Sequence, residues 1–257
     1  MLGVADMSDL AFGIGVQILS EESILHVYLA CTVNFAREMC DCGARAFEND
    51  ALDHALFPRH LRTLENENPI HEFRVERLKQ RLLNPAWRYV LATHDSGHGH
   101  ARVVGYAGWV VPRQVNEQEH GKDENSTGNH VKPEAGTEDA AIFPPGMDVE
   151  VFKHTMEIIE RTRKELLGDN ENNVWNLCSL AVDPEFQGRS IASNLVTWGL
   201  ERADKDHVPA YLESTPAAVR VYTRLGFKEL KKLHVLKDNK SHNLTVMLRT
   251  PDRIAET

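Results

Sequence analysis

The stretch Leu180-Ala-Val-Asp-Pro-Glu-Phe-Gln-Gly-Arg-Ser-Ile-Ala-Ser-Asn-Leu195 decides the fold. A run of strand formers beginning at Val174 ends at Asp183-Pro184, where proline removes a backbone donor. A helical pattern starts at Ser190 and runs to Ala203. The turn between them is short and holds small residues. Such a turn presents free backbone N–H groups at a helix N-terminus, an anion site suited to a pyrophosphate. Gly188 permits unusual dihedrals there, and Arg189 adds positive charge. Ser190, Ala192 and Ser193 are small enough to let phosphate oxygens reach the backbone. The same residues would also serve an ordinary strand-turn-helix connection.

A second block follows: Ala210-Tyr-Leu-Glu-Ser-Thr-Pro-Ala-Ala-Val-Arg-Val-Tyr-Thr-Arg-Leu-Gly-Phe227. Ala210 to Ser214 reads as a short strand. Thr215-Pro216 opens a helix that Gly226 closes.

Together the two blocks resemble the GNAT superfamily of N-acetyltransferases. That family carries a strand, an Arg/Gln-x-x-Gly-x-Gly/Ala loop and a helix, and later a Tyr-x-x-x-Gly-Phe ending. Gln187, Ser190 and Ala192 match the loop, with Ser190 at the position of the central glycine. Tyr222, Gly226 and Phe227 match the ending. The variant with Trp198-Gly199 and Tyr211-Leu212-Glu213-Ser214 is most similar to fungal-type members of unassigned acceptor. The resemblance implies acetyl-CoA as cosubstrate and no metal. It implies that Leu180, Ala181 and Val182 lie on the family's fourth strand, whose main chain pairs with the pantetheine arm. Gln187, Gly188, Arg189, Ser190, Ile191, Ala192 and Ser193 would hold the pyrophosphate. Tyr222 would lie near the CoA sulfur as general acid, although Val219, Tyr222 and Leu225 also form an apolar stripe.

An amine nucleophile must lose a proton before it attacks. Glu213 is the candidate base. It sits in an otherwise apolar strand beside the fork that the family opens between its fourth and fifth strands. Burial there would raise its pKa. Asp183 is a second, weaker candidate, since Asp-Pro more simply ends the strand. The resulting reaction is direct transfer of an acetyl group from acetyl-CoA to a primary amine of a small molecule or peptide. The competing reading is an acetyl-CoA-binding or catalytically inactive interaction module. Ser190 favours that reading, while Gln187 and Tyr222 favour the enzyme.

Working outward, Ala11 to Leu19 alternates as a strand. Ser20 reads as an N-cap. Leu25, Tyr28, Leu29, Thr32, Phe35 and Met39 recur at helical spacing, and Gly43 ends that helix. Pro69 limits any helix before it, and Ile70, Phe73, Leu78 and Leu82 mark a second one. Trp87 to Thr93 and Val103 to Val111 form a hairpin around a turn over His94 to His100. Met147 to Leu167 is an amphipathic helix with Val149, Phe152, Met156, Ile159 and Leu166 on one stripe. Phe227 to Leu236 and Asn243 to Leu248 are the last strands. The order gives an α/β fold with a mixed, mostly antiparallel central sheet and helices on both faces. It implies a single domain over 1–257 with an acidic, mobile insertion over 112–146. Tyr28, Phe35, Trp87 and Trp109 are candidates to line the acceptor entrance or to sit in the core.

The formal net charge is −9, and 42% of the 257 residues are hydrophobic. The charge argues against nucleic-acid and anionic-membrane partners. Gln114 to Asp139 alone holds seven acids against Lys122 and Lys132, a net of −5. The four cysteines, Cys31, Cys40, Cys42 and Cys178, lack paired metal-ligand spacing and read as reduced thiols. His98 and His100 in a glycine-rich turn read as solvated. No apolar run is long enough to cross a membrane, and the first ten residues lack a signal pattern. The expected compartment is the cytoplasm, with the nucleus left open. The expected assembly is a monomer or homodimer.

Overall fold

The computed structural model describes residues 16–20, 23–28, 32–62, 64–95, 101–113, 143–144, 146–236 and 243–251. Among the described residues eight strands form one sheet in the order β1-β2-β3-β4-β5-β6-β8-β7. They are β1 (Val16–Ser20), β2 (Ser23–Tyr28), β3 (Trp87–Asp95), β4 (Ala101–Val110), β5 (Trp175–Val182), β6 (Ala210–Ser214), β7 (Lys228–His234) and β8 (Asn243–Arg249). The helices are α1 (Ala36–Ala46), α2 (Ala51–Leu56), α3 (Leu64–Leu83), α4 (Val149–Leu167), α5 (Ile191–Lys205) and α6 (Val219–Arg224). All neighbours pair antiparallel except β5 and β6. The mixed, mostly antiparallel sheet with helices on both faces is as expected.

Alternation along the strands feeds two cores. Val90, Ala92, Val104, Ala107, Trp109, Leu177 and Leu212 face α5 and α6 on one side. On the other side Tyr89, Leu91 and Val103 face α1 and α3. Val174, Tyr211, Leu244 and Val246 meet α2 and α4 on that same side.

Several expectations need correction. Residues 23–28, read as the start of a helix, form β2. They pair with both β1 and β3, from Ile24 opposite Asp95 to Tyr28 opposite Leu91. Ile24, Val27 and Tyr28 are strand formers, and the ladder with β3 decides between two patterns that so short a run satisfies equally. Ser20 therefore pairs with Ser23 instead of capping a helix. The strands expected from the resemblance to be fourth and fifth are accordingly β5 and β6 here.

Gly43 does not end α1 but lies inside it, buried. A Cβ there would meet the Tyr106 hydroxyl at 2.7 Å, so this glycine serves close packing. Likewise α3 runs through Pro69, which is exposed. The inward face of α4 is centred on the buried Thr155 and Thr162, flanked by Val151, Ile158, Ile159 and Leu166. Its apolar stripe is thus turned from the one expected.

Thr215-Pro216 precedes α6 in a turn, and the helix itself starts at Val219. Most of the acidic segment, the His98/His100 turn, Cys31 and the side chain of Tyr28 lie outside the described residues.

Candidate active site

The parallel ladder between β5 and β6 is short. Only Trp175 with Ala210, Asn176 with Tyr211, and Leu177 with Leu212 are paired. Beyond them β5 follows β4 alone to Val182, while Glu213 and Ser214 follow β8. The sheet therefore opens into a fork inside the molecule. A bulge marks its root. The β4/β5 register shifts between Gly108 and Trp109, which leaves Cys178 as the extra residue of β5. Leu180, Ala181 and Val182 lie along the open edge. Such an edge offers main-chain donors and acceptors to an extended ligand.

At the end of this edge Asp183 is buried at 1% exposure. It caps the turn by accepting from the Glu185 N–H at 3.1 Å. It also accepts from Arg45 Nε at 2.6 Å and from Arg102. Burial alone would raise its pKa, but the hydrogen bonds from Arg45, Glu185 N–H and Arg102 prevail and hold the carboxyl below its usual range. That engagement makes Asp183 a poor base.

The loop that follows has two left-handed residues, Gly188 (φ 77°) and Ser190 (φ 61°). No neighbour crowds Gly188, so its glycine is required by conformation and not by space. Ser190 is the N-cap of α5, and its side chain makes no capping bond. The first helical bond runs from Asn194 N–H to Ser190 O. The N–H groups of Ile191, Ala192 and Ser193 have no acceptor among the described residues. An uncapped end of a fifteen-residue helix leaves its positive pole open. Gln187, Gly188, Arg189 and Ser190 are exposed around it. Gln187 Nε2 donates to Val182 O at 3.2 Å and ties the loop to the strand. The guanidinium of Arg189 lies 5.2 Å from the Phe186 ring centroid.

Tyr222 lies on α6 at 5% exposure, edge-to-face with Phe227 at 5.8 Å. Its hydroxyl has no hydrogen-bond partner among the described residues. Burial pushes the phenol pKa up, so the ring carries its proton throughout the neutral range.

Glu213 stands on the other face of β6, where it accepts from Arg163 of α4 at 3.0 Å. The side chains are 12% and 26% exposed, respectively. The sequence suggested a buried carboxylate in apolar surroundings, yet the structure supplies a counter-ion. Burial opposes the charge on Arg163, but the neighbouring Glu213 prevails and raises its pKa. Arg163 also lies over the Tyr211 ring at 5.1 Å. Cys178 is open to solvent yet surrounded by protein. Burial, opposed by Arg163, pushes its thiol up to about 12.

The loop residues, the open edge and Tyr222 thus come together on or beside the α5/α6 face. Glu213 reaches the fork from the α4 face. Trp109 is fully buried against α5, and Phe35 and Trp87 pack under α1 and α3. Sequence reading missed Arg163, which was one charge on an amphipathic helix with no local sign of its partner.

Residues 156–227 match the model of the acetyltransferase (GNAT) family. An uncharacterised N-acetyltransferase of Schizosaccharomyces pombe is 26% identical over 102 residues, covering 39% of this chain and 41% of the relative. The "Probable acyltransferase SID5" of Ajellomyces capsulatus is 44% identical over 54 residues, covering 21% and 40%. The matched segments therefore span about two fifths of these curated relatives. Among solved structures, the Drosophila melanogaster polyamine N-acetyltransferase, which forms N-acetylagmatine, is 16% identical. It superimposes with TM-score 0.54 over 88% of this chain and 99% of that one. The Salmonella typhimurium protein yncA, solved with its cofactor acetyl-CoA, is 14% identical with TM-score 0.50, covering 90% and 96%.

Fold and fork define an α/β protein of the acyl-CoA N-acyltransferase architecture. Over residues 156–227 the chain is similar in sequence to the GNAT acetyltransferases, and its fold is the one their solved structures share.

Proposed function

We propose that this chain is an acyl-CoA-dependent N-acyltransferase that moves the acetyl group of acetyl-CoA directly to a primary amine of a small molecule or peptide. The observation that carries this reading is the fork. An unpaired β5 edge leads straight into an uncapped helix N-terminus. That combination suits a ligand with an extended amide arm and a diphosphate. Acetyl-CoA supplies the activated acyl group.

Leu180, Ala181 and Val182 hold the arm through their main chain. Gln187, Gly188, Arg189, Ser190, Ile191, Ala192 and Ser193 hold the diphosphate, with N–H groups and one guanidinium as donors. Tyr222 keeps its proton in the folded protein and gives it to the departing thiolate. Glu213 accepts the proton of the incoming ammonium, directly or through water, from the α4 face. We further propose that the whole chain is one domain, with 112–146 inserted between β4 and α4. All described strands share a single sheet, which supports this reading.

Calorimetric titration with acetyl-CoA tests the donor site, and absence of binding would sink the proposal. Tyr222→Phe should lower kcat by about a hundredfold, the lower range for a general acid, with acetyl-CoA affinity preserved. Unchanged turnover in that variant would remove the acid role.

A further inference from the structure

Arg74, Arg77 and Arg81 share one flank of α3, beside the apolar stripe of Val75, Leu78 and Leu82. Arg74 is neutralised by Asp53 of α2 at 2.6 Å. Arg77 and Arg81 have no carboxylate partner among the described residues, and both are only half-buried. The Arg81 guanidinium lies 4.6 Å from the Trp87 ring centroid, and its charge reaches the Tyr89 hydroxyl and the Cys178 thiol. Burial and the like charge of Arg81 lower the pKa of Arg77. Like charges four residues apart on a helix repel, and partial burial without a counter-ion adds to the cost. The fold thus keeps two arginines whose anion must come from outside.

The pair stands beside the fork. Tyr89 is the register partner of Gly108, and Gly108 of Ser179, so one row crosses from β3 over β4 to the open edge of β5. A Cβ at Gly108 would meet both Tyr89 Cε1 and Ser179 Oγ at 2.5 Å, so this glycine lets the two side chains close over it. Arg81 stands at the Tyr89 end of the row, and the bulged Cys178 precedes Ser179. The Cys178 thiol feels Arg81 from α3, and Arg163 and Glu213 from α4 and β6. Solvent reaches this place. Cys178 is exposed although β5 is an inner strand, and Ser179, Arg81, Arg163 and Glu213 are partly exposed. Three arginines here face one carboxylate, a local positive excess in a chain whose total charge is −9.

We propose that Arg77 and Arg81 recognise the acceptor, and that the acceptor is an amine that also carries a carboxylate. The amine meets Glu213 and the carboxylate meets the α3 flank. A guanidinium donates two parallel bonds to a carboxylate, and the local positive excess disfavours a plain amine or a diamine. This rests on the proposed acyltransferase activity and names its substrate class.

The test pairs β-alanine, 4-aminobutyrate and 6-aminohexanoate each with its own amide, which has the same shape and no charge at the far end. With kcat/KM expressed per unprotonated amine, at least one carboxylate should exceed its amide by about tenfold or more, the factor for hydrogen bonds to a charged group. The whole chain's negative field works against that preference, so it reports local charge. Arg77→Gln and Arg81→Gln should each reduce it and the double variant should abolish it, with the acetyl-CoA Kd unchanged. Arg81→Lys, which keeps the charge, should retain part of it. The intact Kd also certifies the fold of each variant. Equal use of acid and amide in all three pairs, or a preference that survives the double variant, would overturn the inference while leaving the acyltransferase reading standing. Should no amine be turned over, calorimetry of the same pairs against CoA-loaded protein decides in the same way. Selective binding of a carboxylate supports the inference, and indifferent or absent binding overturns it. Failure of CoA itself to bind would overturn the acyltransferase reading and the inference with it.

Discussion

Ser190 occupies the left-handed region (φ 61°) at the start of α5, a conformation that costs a non-glycine residue about 1 kcal/mol or more. The family pattern has glycine at this position, and the geometry supplies the reason. The serine remains compatible with the loop because its side chain is exposed and bonds to nothing that would distort the turn. Ser190→Gly should therefore raise stability slightly, by less than about 1 kcal/mol. The relief of strain is partly offset by the greater freedom of glycine in the unfolded chain. Ser190→Val should instead cost about 2 kcal/mol, because a β-branched residue tolerates positive φ poorly. Denaturant midpoints of the three proteins decide the matter. A valine variant as stable as wild type would show that the loop carries no such strain. The doubt that Ser190 raised about the donor site thus becomes a question of strain, since no neighbouring atom holds the serine in place.

At the scale of elements, the pairs β5–α5 and β6–α6 were legible because their signals are local: a proline after a strand, a glycine in a turn, a periodic run. β2 was misread because Leu25, Tyr28 and Leu29 fit helical spacing as well as a strand, and only the neighbouring β3 breaks the tie. The Arg163–Glu213 pair was invisible because its partners lie fifty residues apart, on a helix and a strand that meet only in the fold. The core glycines were equally hidden. Gly199 packs α5 onto β4 so closely that a Cβ would lie 2.2 Å from the Trp109 indole, which is itself edge-on to Trp175. A rigid, fully buried ring cannot yield as a flexible chain end could. Gly199→Ala should thus lose about 2 kcal/mol, overpacking outweighing the roughly 1 kcal/mol that alanine gains in helix propensity. Differential scanning calorimetry should show Tm falling by several degrees, with partial recovery when Trp109→Phe is added. A Tm that rises on Gly199→Ala would mean that α5 stands off the sheet.

For the whole molecule, the sheet's two cores are tied together at the fork's outer end by one carboxylate. Asp183 ends β5, Arg45 belongs to α1 on one face, Arg102 belongs to β4, and the turn that Asp183 caps leads into α5 on the other face. Losing the carboxylate loosens three segments at once and leaves two arginines facing each other. Their side chains are 40% and 45% exposed, so water screens much of that repulsion. Asp183→Asn should then cost about 2 kcal/mol at neutral pH, within the range for hydrogen bonds to charged groups. The sign with pH follows from the depressed folded-state pKa. The contribution is complete above the unfolded aspartate value near about 4 and is lost as pH falls through the lower folded value. The stability gap between wild type and Asp183→Asn should consequently be constant from pH 7 to about 5 and close on further acidification. Urea midpoints for both proteins across that range measure it directly. A gap that persists undiminished at about pH 2 would show that the amide variant fails through geometry and not through charge, and that the two arginines are not what holds this corner of the sheet.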